Sequence, residues 1–371
     1  MPSSAYIHIP FCKSICSYCD FCKILYDIAD RNKYLEALEK EIKENYKNET
    51  LNTLYIGGGS PSSLSVAELK KLFDIISIFK LSKTFEFTFE ANVLDINEEM
   101  LKVLKNNKVN RLSIGIETIN EKFMPFLNRF NKKEVVIEKI NLVKKYFSNF
   151  NLDLMYAFPN ETEDDLKNDL DFVIGLNPTH ISIYSLIIEP HTKIYNDKIE
   201  PLDEELEKNM YFNIIDYLSK FGYIHYEISN FSKKGFESRH NLTYWNNFEY
   251  YGFGLGASGF VNNIRYTNTR NINKYLTDEF TWEKEEMTKE INMENELILG
   301  LRKMSGVEKK TFYDKYKFNI QDVFDIISLV DKKLIIDNGK RIFIPKDKLY
   351  VSNSILVNFI GGSKKWVKKK K

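Results

Sequence analysis

Four cysteines stand at positions 12, 16, 19 and 22, and the chain holds no others. The spacing Cys12-x-x-x-Cys16-x-x-Cys19 sets three thiolates on one short loop. Such a trio can hold three irons of a four-iron cubane and leave the fourth iron open to a second molecule. Ordinary ferredoxin-type clusters use four thiolates and only pass electrons. The competing chemistry is a structural zinc site with Cys22 as fourth ligand. Zinc knuckles favour paired Cys-x-x-Cys units separated by a longer spacer, and this spacing departs from that pattern. Structural disulfides are excluded, because cysteines so close together cannot pin distant segments. A tight cluster in a cytosolic chain points to metal or redox chemistry.

Further candidates follow at intervals. Gly57-Gly58-Gly59-Ser60-Pro61 lets backbone approach a ligand closely and exposes N–H and C=O groups to it. Glu90, Glu117, Arg129 and Asp153 are charged residues at or just beyond the ends of successive strands, where α/β barrels keep their chemistry. His240 opens the segment His240-Asn241-Leu242-Thr243-Tyr244-Trp245, and on the residues alone a core histidine among aromatic rings is the plainer reading.

The elements that must position these residues repeat one theme, a short apolar strand, a loop, then an amphipathic helix. Strands are expected at Ser4 to Ile9, Leu51 to Ile56, Thr84 to Glu90, Val109 to Ile116, Leu152 to Tyr156 and His180 to Leu186. The helix from Arg31 to Tyr46 carries Tyr34, Leu38 and Ile42 on one face, and the next opens with a capping box at Ser65 and Glu68. In the third strand Phe85, Phe87 and Phe89 share one face while Glu86, Thr88 and Glu90 share the other. Six β-α units in series predict an α/β fold, a partial (β/α)6 TIM-like barrel over residues 1–230 with Glu90 pointing into its lumen. A doubly wound sheet is the alternative.

From about Tyr223 the rhythm changes. Residues 231–286 form a connecting segment that carries the His240 motif and the glycine run Gly252 to Gly259. Residues 287–371 form a small α+β, winged-helix-like unit with a hairpin from Leu334 to Ile344 that turns at Asn338-Gly339. Its basic tail, Lys364 to Lys371, offers a peripheral contact with an anionic surface. The 371 residues are 43% hydrophobic, enough for a sizeable core, and 53 basic residues balance 52 acidic ones to a net charge of +1. No global field steers such a chain to nucleic acid. With no signal peptide and no apolar run long enough to span a bilayer, a soluble cytoplasmic protein is expected.

Tyr6-Ile7-His8-Ile9-Pro10-Phe11-Cys12, with Cys16, Tyr18, Cys19, Asp20 and Phe21, resembles the radical S-adenosylmethionine superfamily. More narrowly it resembles the branch of oxygen-independent coproporphyrinogen III oxidase and its heme-chaperone relatives. The resemblance implies a [4Fe-4S] cluster on Cys12, Cys16 and Cys19 whose open iron binds S-adenosylmethionine. It implies contacts to that cofactor from Tyr6, Tyr18, Gly58, Gly59, Ser60, Glu90, Glu117, Arg129 and Asp153. Ser60 stands where the family carries threonine, and Glu117 where it carries glutamine. The His240 segment resembles one of the heme-chaperone branch and implies a heme-related role for His240.

The function expected on this resemblance is delivery of heme to acceptor hemoproteins, with an electron donor for the cluster and a monomer or homodimer as the working form. No catalytic residue is assigned. Oxidative decarboxylation of coproporphyrinogen III is the competing reading. It is disfavoured because only eleven residues precede Cys12 and because Cys22 lies three residues beyond Cys19, where the oxidase has its extra cysteine two beyond.

Overall fold

In the computed structural model the described residues are 1–26 and 30–362, so the basic tail lies outside them. Six parallel strands form the centre: β1 (Ser4–Ile9), β2 (Thr50–Gly58), β3 (Lys80–Asn92), β4 (Arg111–Glu117), β5 (Phe150–Tyr156) and β6 (His180–Ser185). They lie side by side in chain order. That order belongs to a β/α barrel, since a doubly wound sheet reverses direction at a switch point.

Three more strands extend this sheet: β7 (Ile224–Glu227), β8 (Asn230–Ser232) and β9 (Tyr251–Phe253). β8 runs antiparallel to β6 and to β7, whereas β9 pairs in parallel with the free side of β1. The full order is β9-β1-β2-β3-β4-β5-β6-β8-β7, and β9 and β7 remain separate edges, so the barrel is partial.

The sequence explains why the crossovers take the form they do. α1 (Arg31–Asn45) is capped by Asp30, whose carboxylate accepts from the backbone of Asn32 and Lys33. α2 (Val66–Ile76) has both halves of the Ser65–Glu68 capping box and buries Leu69, Leu72, Phe73 and Ile76. The phenylalanine face of β3 turns outward beneath this helix, with the Phe73 and Phe87 rings edge to face at 6.2 Å. Each fully buried aromatic of this kind contributes on the order of 1.5–3 kcal/mol. The opposite face points Glu86, Thr88 and Glu90 into the lumen, as the alternation predicts.

α3 (Arg239–Trp245) closes the lumen from the far side. Its N-terminus rests on Glu86, whose carboxylate accepts from Arg239 N at 3.1 Å and His240 N at 3.0 Å. An anion at a helix start satisfies donors that have no intrahelical partner. Beyond it, three antiparallel strands (Ser258–Val261, Ile264–Asn268 and Thr281–Glu286) form a second sheet. The last part of the described chain holds helices Lys289–Gly300, Lys309–Tyr316, Ile320–Val323 and Ile326–Asp331 beside a small antiparallel sheet. The hairpin falls where expected, pairing Ile336 with Phe343 around the turn at Asn338 and Gly339.

Candidate functional site

The cysteine loop leaves β1 directly and is tied down by its backbone. Ile24 N donates to Pro10 O at 2.7 Å and Tyr26 N to Cys12 O at 2.8 Å, making a two-residue parallel ladder across the loop's base. Asn128 Nδ2 reaches Ile15 O at 2.9 Å, and the Lys23 ammonium donates to the Cys19 carbonyl. Cys12 is buried, while Cys16, Cys19 and Cys22 are half-buried.

The glycine run at the end of β2 packs against this loop. Gly59 N donates to Ile9 O and Ser60 N to Phe11 O, both at 2.9 Å. A Cβ on Gly59 would stand 2.6 Å from Pro10 O and 2.9 Å from Cys12 Sγ, so only glycine fits there. Gly58 has φ +120° and would press a Cβ into the His8 ring at 2.7 Å.

His8 orients the cysteine loop. Its ring is 4% exposed, and burial lowers its pKa to about 4, so the ring is neutral near pH 7. Nε2 lies 2.7 Å from Cys22 O, which can only accept; Nε2 therefore carries the proton. Nδ1 is then the acceptor for the Tyr6 hydroxyl at 2.9 Å. The Tyr34 hydroxyl donates to the His8 carbonyl at 2.6 Å and accepts from Leu255 N at 3.2 Å, which joins the glycine run after β9 to the strand below the cysteines. Period-two alternation along β1 put Tyr6 and His8 on one face and could have signalled their pairing; nothing local signalled Tyr34.

All four of the predicted charged positions lie close enough to act on one another in a chain from Glu90 through Asp153 and Glu117 to Arg129. Glu90 accepts from the Tyr55 hydroxyl at 2.6 Å and from Gly58 N at 3.0 Å. Burial raises its pKa to about 7 against these two bonds. Asp153 accepts from Asn151 Nδ2 at 2.7 Å and Ser113 Oγ at 3.2 Å, and burial raises it to about 6. Glu117 ends β4 with φ +61° beside a register shift and forms a buried ion pair with Arg129. Burial works against the Arg129 charge, but Glu117, Tyr18 and Cys16 around it hold the guanidinium above its ordinary range. Gly115 clears the space: a Cβ there would lie 2.6 Å from Glu117 Oε1 and 2.7 Å from Arg129 Nη2.

Tyr6 and Tyr18 are both half-buried, Tyr18 against the apolar cluster of Phe123, Leu127 and Met155. His240 is buried below the rim, where its pKa is lowered to about 3 by burial. Nδ1 lies 2.8 Å from Thr53 Oγ1 and Nε2 lies 2.7 Å from the Tyr244 hydroxyl, so both ring nitrogens have partners. A cavity of about 310 Å³ joins it to the rim, lined by Tyr6, Tyr55, Gly58, Glu90, His240 and Tyr244 among others. A larger cavity of about 410 Å³, lined by Lys13, Tyr26, Asp95 and Met100 among others, holds none of the predicted residues.

A [4Fe-4S] cluster with S-adenosylmethionine suits the residues present. Three thiols share one anchored loop against glycine backbone, and Glu117 Oε2 and Arg129 Nε are buried without partners, as groups awaiting a polar ligand are.

Comparison with known proteins adds an independent line. The model of the Radical SAM superfamily matches residues 6–173. The heme chaperone HemW of Lactococcus lactis subsp. lactis (strain IL1403) is 39% identical over 370 residues, 97% of this chain and 97% of that protein. The heme chaperone HemW of Bacillus subtilis (strain 168) is 37% identical, covering 96% of this chain and 99% of its own length. The solved structure of coproporphyrinogen III oxidase (HemN) from Escherichia coli, a radical SAM enzyme, aligns with a TM-score of 0.85 over 96% of this chain and 90% of that one. At 21% identity, this likeness establishes the fold alone.

Proposed function

Because the chain belongs to the heme chaperone HemW family of radical S-adenosylmethionine proteins, we propose that it binds a [4Fe-4S] cluster, S-adenosylmethionine and heme, and delivers heme to acceptor hemoproteins. The observation that carries the reading at the level of residues is the packing of the cysteine loop on Gly59, which leaves no room for a side chain between thiol and backbone.

Cys12, Cys16 and Cys19 would hold the cluster. Cluster and S-adenosylmethionine together supply reductive one-electron chemistry when bound. The chain's own residues orient and shield. The half-buried backbone of Gly58, Gly59 and Ser60, whose N–H groups are already engaged, offers carbonyl oxygens to the ammonium of the ligand, with Glu90 beside it held in place by Tyr55. Asp153, steadied by Asn151 and Ser113, takes ribose hydroxyls. Tyr6 and Tyr18 flank the loop and exclude water. His240 with the rings of Tyr55 and Tyr244 forms the wall that a porphyrin edge meets, the His240 and Tyr55 ring centroids being 5.0 Å apart. No helix among the described residues is long and apolar enough to cross a membrane.

The test is anaerobic reconstitution, iron and sulfide analysis, then a heme titration with and without S-adenosylmethionine, followed by mixing with an apo-hemoprotein. About four irons and four sulfides, saturable heme binding and transfer to the acceptor are expected. Zinc without sulfide would remove the cluster. Conversion of coproporphyrinogen III to protoporphyrinogen under reducing conditions would replace the chaperone reading with the oxidase one.

A further inference from the structure

The register of the barrel sets four lumen residues in one row. Tyr6 pairs with Tyr55, Tyr55 with Thr88 and Thr88 with Arg111, from β1 across to β4. Register partners share a face of the sheet, so Arg111 points into the lumen with Thr88 and Glu90. Arg111 is 2% exposed, its Nε is buried, and among the described residues its guanidinium makes no ion pair and no hydrogen bond. Thr88 beside it is fully buried, and its hydroxyl also lacks a partner.

The other polar groups of this lumen are already engaged. Glu90 is held by Tyr55 and Gly58, and Asp153 by Asn151 and Ser113. His180 is closed on both sides, with Nδ1 2.7 Å from Asn151 Oδ1 and Nε2 2.8 Å from the Tyr226 hydroxyl. Arg111 and Thr88 are what remains once the layer has satisfied itself. A buried cation without a direct partner is costly, and an open fork of N–H donors beside a hydroxyl matches a carboxylate, which takes two N–H bonds side by side. Burial raises Glu90 to about 7 and Asp153 to about 6, so both can take up a proton when a further anion arrives. Two members of the row, Tyr6 and Tyr55, line the cavity of about 310 Å³ together with Glu90 and His240. The Arg111 charge is felt at Tyr55, Glu90 and His240 alike, which sets it next to that lining.

We propose that Arg111 and Thr88 form a carboxylate-binding floor beneath this cavity, and that the floor takes a propionate arm of heme. The inference deepens the heme-binding reading given above and rests on it for the source of the carboxylate. A porphyrin edge that meets the wall of His240, Tyr55 and Tyr244 directs its side arm down the row toward Arg111, while the macrocycle stays at the rim.

Two probes test the floor. One is sodium propionate, followed by thermal unfolding at constant ionic strength. The other is a titration that compares heme with heme dimethyl ester, whose arms carry no charge. Wild type should gain melting temperature saturably with propionate and bind heme about tenfold more tightly than the ester, the scale of a hydrogen bond to a charged group. Arg111→Gln should lose both effects, and Thr88→Val, which keeps the cation, should weaken both several-fold. The same heme-to-ester ratio in Arg111→Gln as in wild type overturns the proposal, as does a wild type that shows neither effect. Stabilisation by propionate without a preference for heme, abolished in Arg111→Gln, upholds the floor and rules out heme as its source. A wild type that binds neither porphyrin overturns the heme reading itself, and the propionate titration then decides the floor. Should Arg111→Gln fail to fold, a Thr88→Val protein indistinguishable from wild type in both assays sinks the proposal.

Discussion

Tyr6 and His8, two residues apart on β1, are joined side chain to side chain: the Tyr6 hydroxyl donates to Nδ1 at 2.9 Å while Nε2–H of the same ring holds the Cys22 carbonyl at 2.7 Å. One neutral imidazole thus links a residue of the lumen to the far end of the cysteine loop. Protonating it turns Nδ1 into a donor and breaks the bond from Tyr6. Its folded pKa, about 4, lies below the ordinary 6.5, so its contribution to stability is complete above 6.5 and is lost as pH falls toward 4. Between pH 6.5 and 5 the wild-type chain should lose about 2 kcal/mol more stability than His8→Gln. Urea unfolding of both proteins at the two pH values checks this; equal losses would show that the ring titrates freely.

Glu90 carries the opposite sign. Its folded pKa is raised from 4.5 to about 7 by burial, so the folded chain favours the protonated form and stability falls as pH rises through that window. A cationic ligand group favours the ionised form instead. Affinity for S-adenosylmethionine should therefore climb as pH passes through about 7, and Glu90→Gln should flatten that profile and bind more weakly throughout. A titration series from pH 6 to 8 that rises equally in the variant assigns the dependence elsewhere.

Cys22 contributes to the loop through its backbone. Its carbonyl is held by His8, while its side chain lies against Gly256, where a Cβ on that glycine would stand 3.0 Å from the sulfur. Cys22→Ala keeps the carbonyl and should retain the brown absorbance and the iron content, whereas Ala at Cys12, Cys16 or Cys19 should abolish both. Iron lost from Cys22→Ala at the level of the other three makes it a ligand.

Removing Arg129 strands its buried partner. Arg129→Met should destabilise the chain by about 3–5 kcal/mol, the usual cost of an uncompensated buried charge. The double variant Glu117→Gln/Arg129→Met should recover most of that loss, because no unpaired charge remains. Chemical denaturation of the four proteins in the cycle measures the coupling; additive losses would mean the two side chains do not act as a pair.

Tyr244 occupies the Nε2 side of His240 at 2.7 Å. An axial bond from that nitrogen to heme iron requires the tyrosine to give way. Tyr244→Phe should accordingly tighten heme binding several-fold and sharpen a histidine-ligated Soret band. The same spectrum and affinity in Tyr244→Phe and in His240→Ala would exclude His240 as ligand.

Much of this architecture was legible in the chain because local pattern and global fold agree. The alternation of Phe85, Phe87 and Phe89 against Glu86, Thr88 and Glu90 follows directly from the pleat, and Ser65 and Glu68 cap the helix they announce. Agreement failed where tertiary pairing overrides composition. Gly252 and Gly254 read as loop, yet residues 251–253 are β9, and a Cβ on Gly252 would stand 1.9 Å from Ser258 O. The glycine is there because another strand passes against it. Asn230 to Ser232 are too polar and too few to suggest β8, which exists because β6 offers a free edge. The helix Lys309–Tyr316 has only Phe312 and Tyr316 buried, a stripe too thin to stand out. At the site, residue types and spacing pointed to the cysteines, the glycines and the carboxylates. The hydroxyls that aim them, from Tyr34, Tyr55 and Ser113, come from elements remote in sequence and carry no motif.

The pairing of β9 with β1 has a consequence for biogenesis. Residues 5–7 gain their second neighbour only from residues 251–253, so a nascent chain displays the strand that leads into the cysteine loop as a bare margin until two-thirds of its length has left the ribosome. Iron and sulfide offered earlier would meet a half-built cradle. A cluster on that loop would therefore have its supporting strand flanked on both sides only once about two-thirds of the chain has emerged.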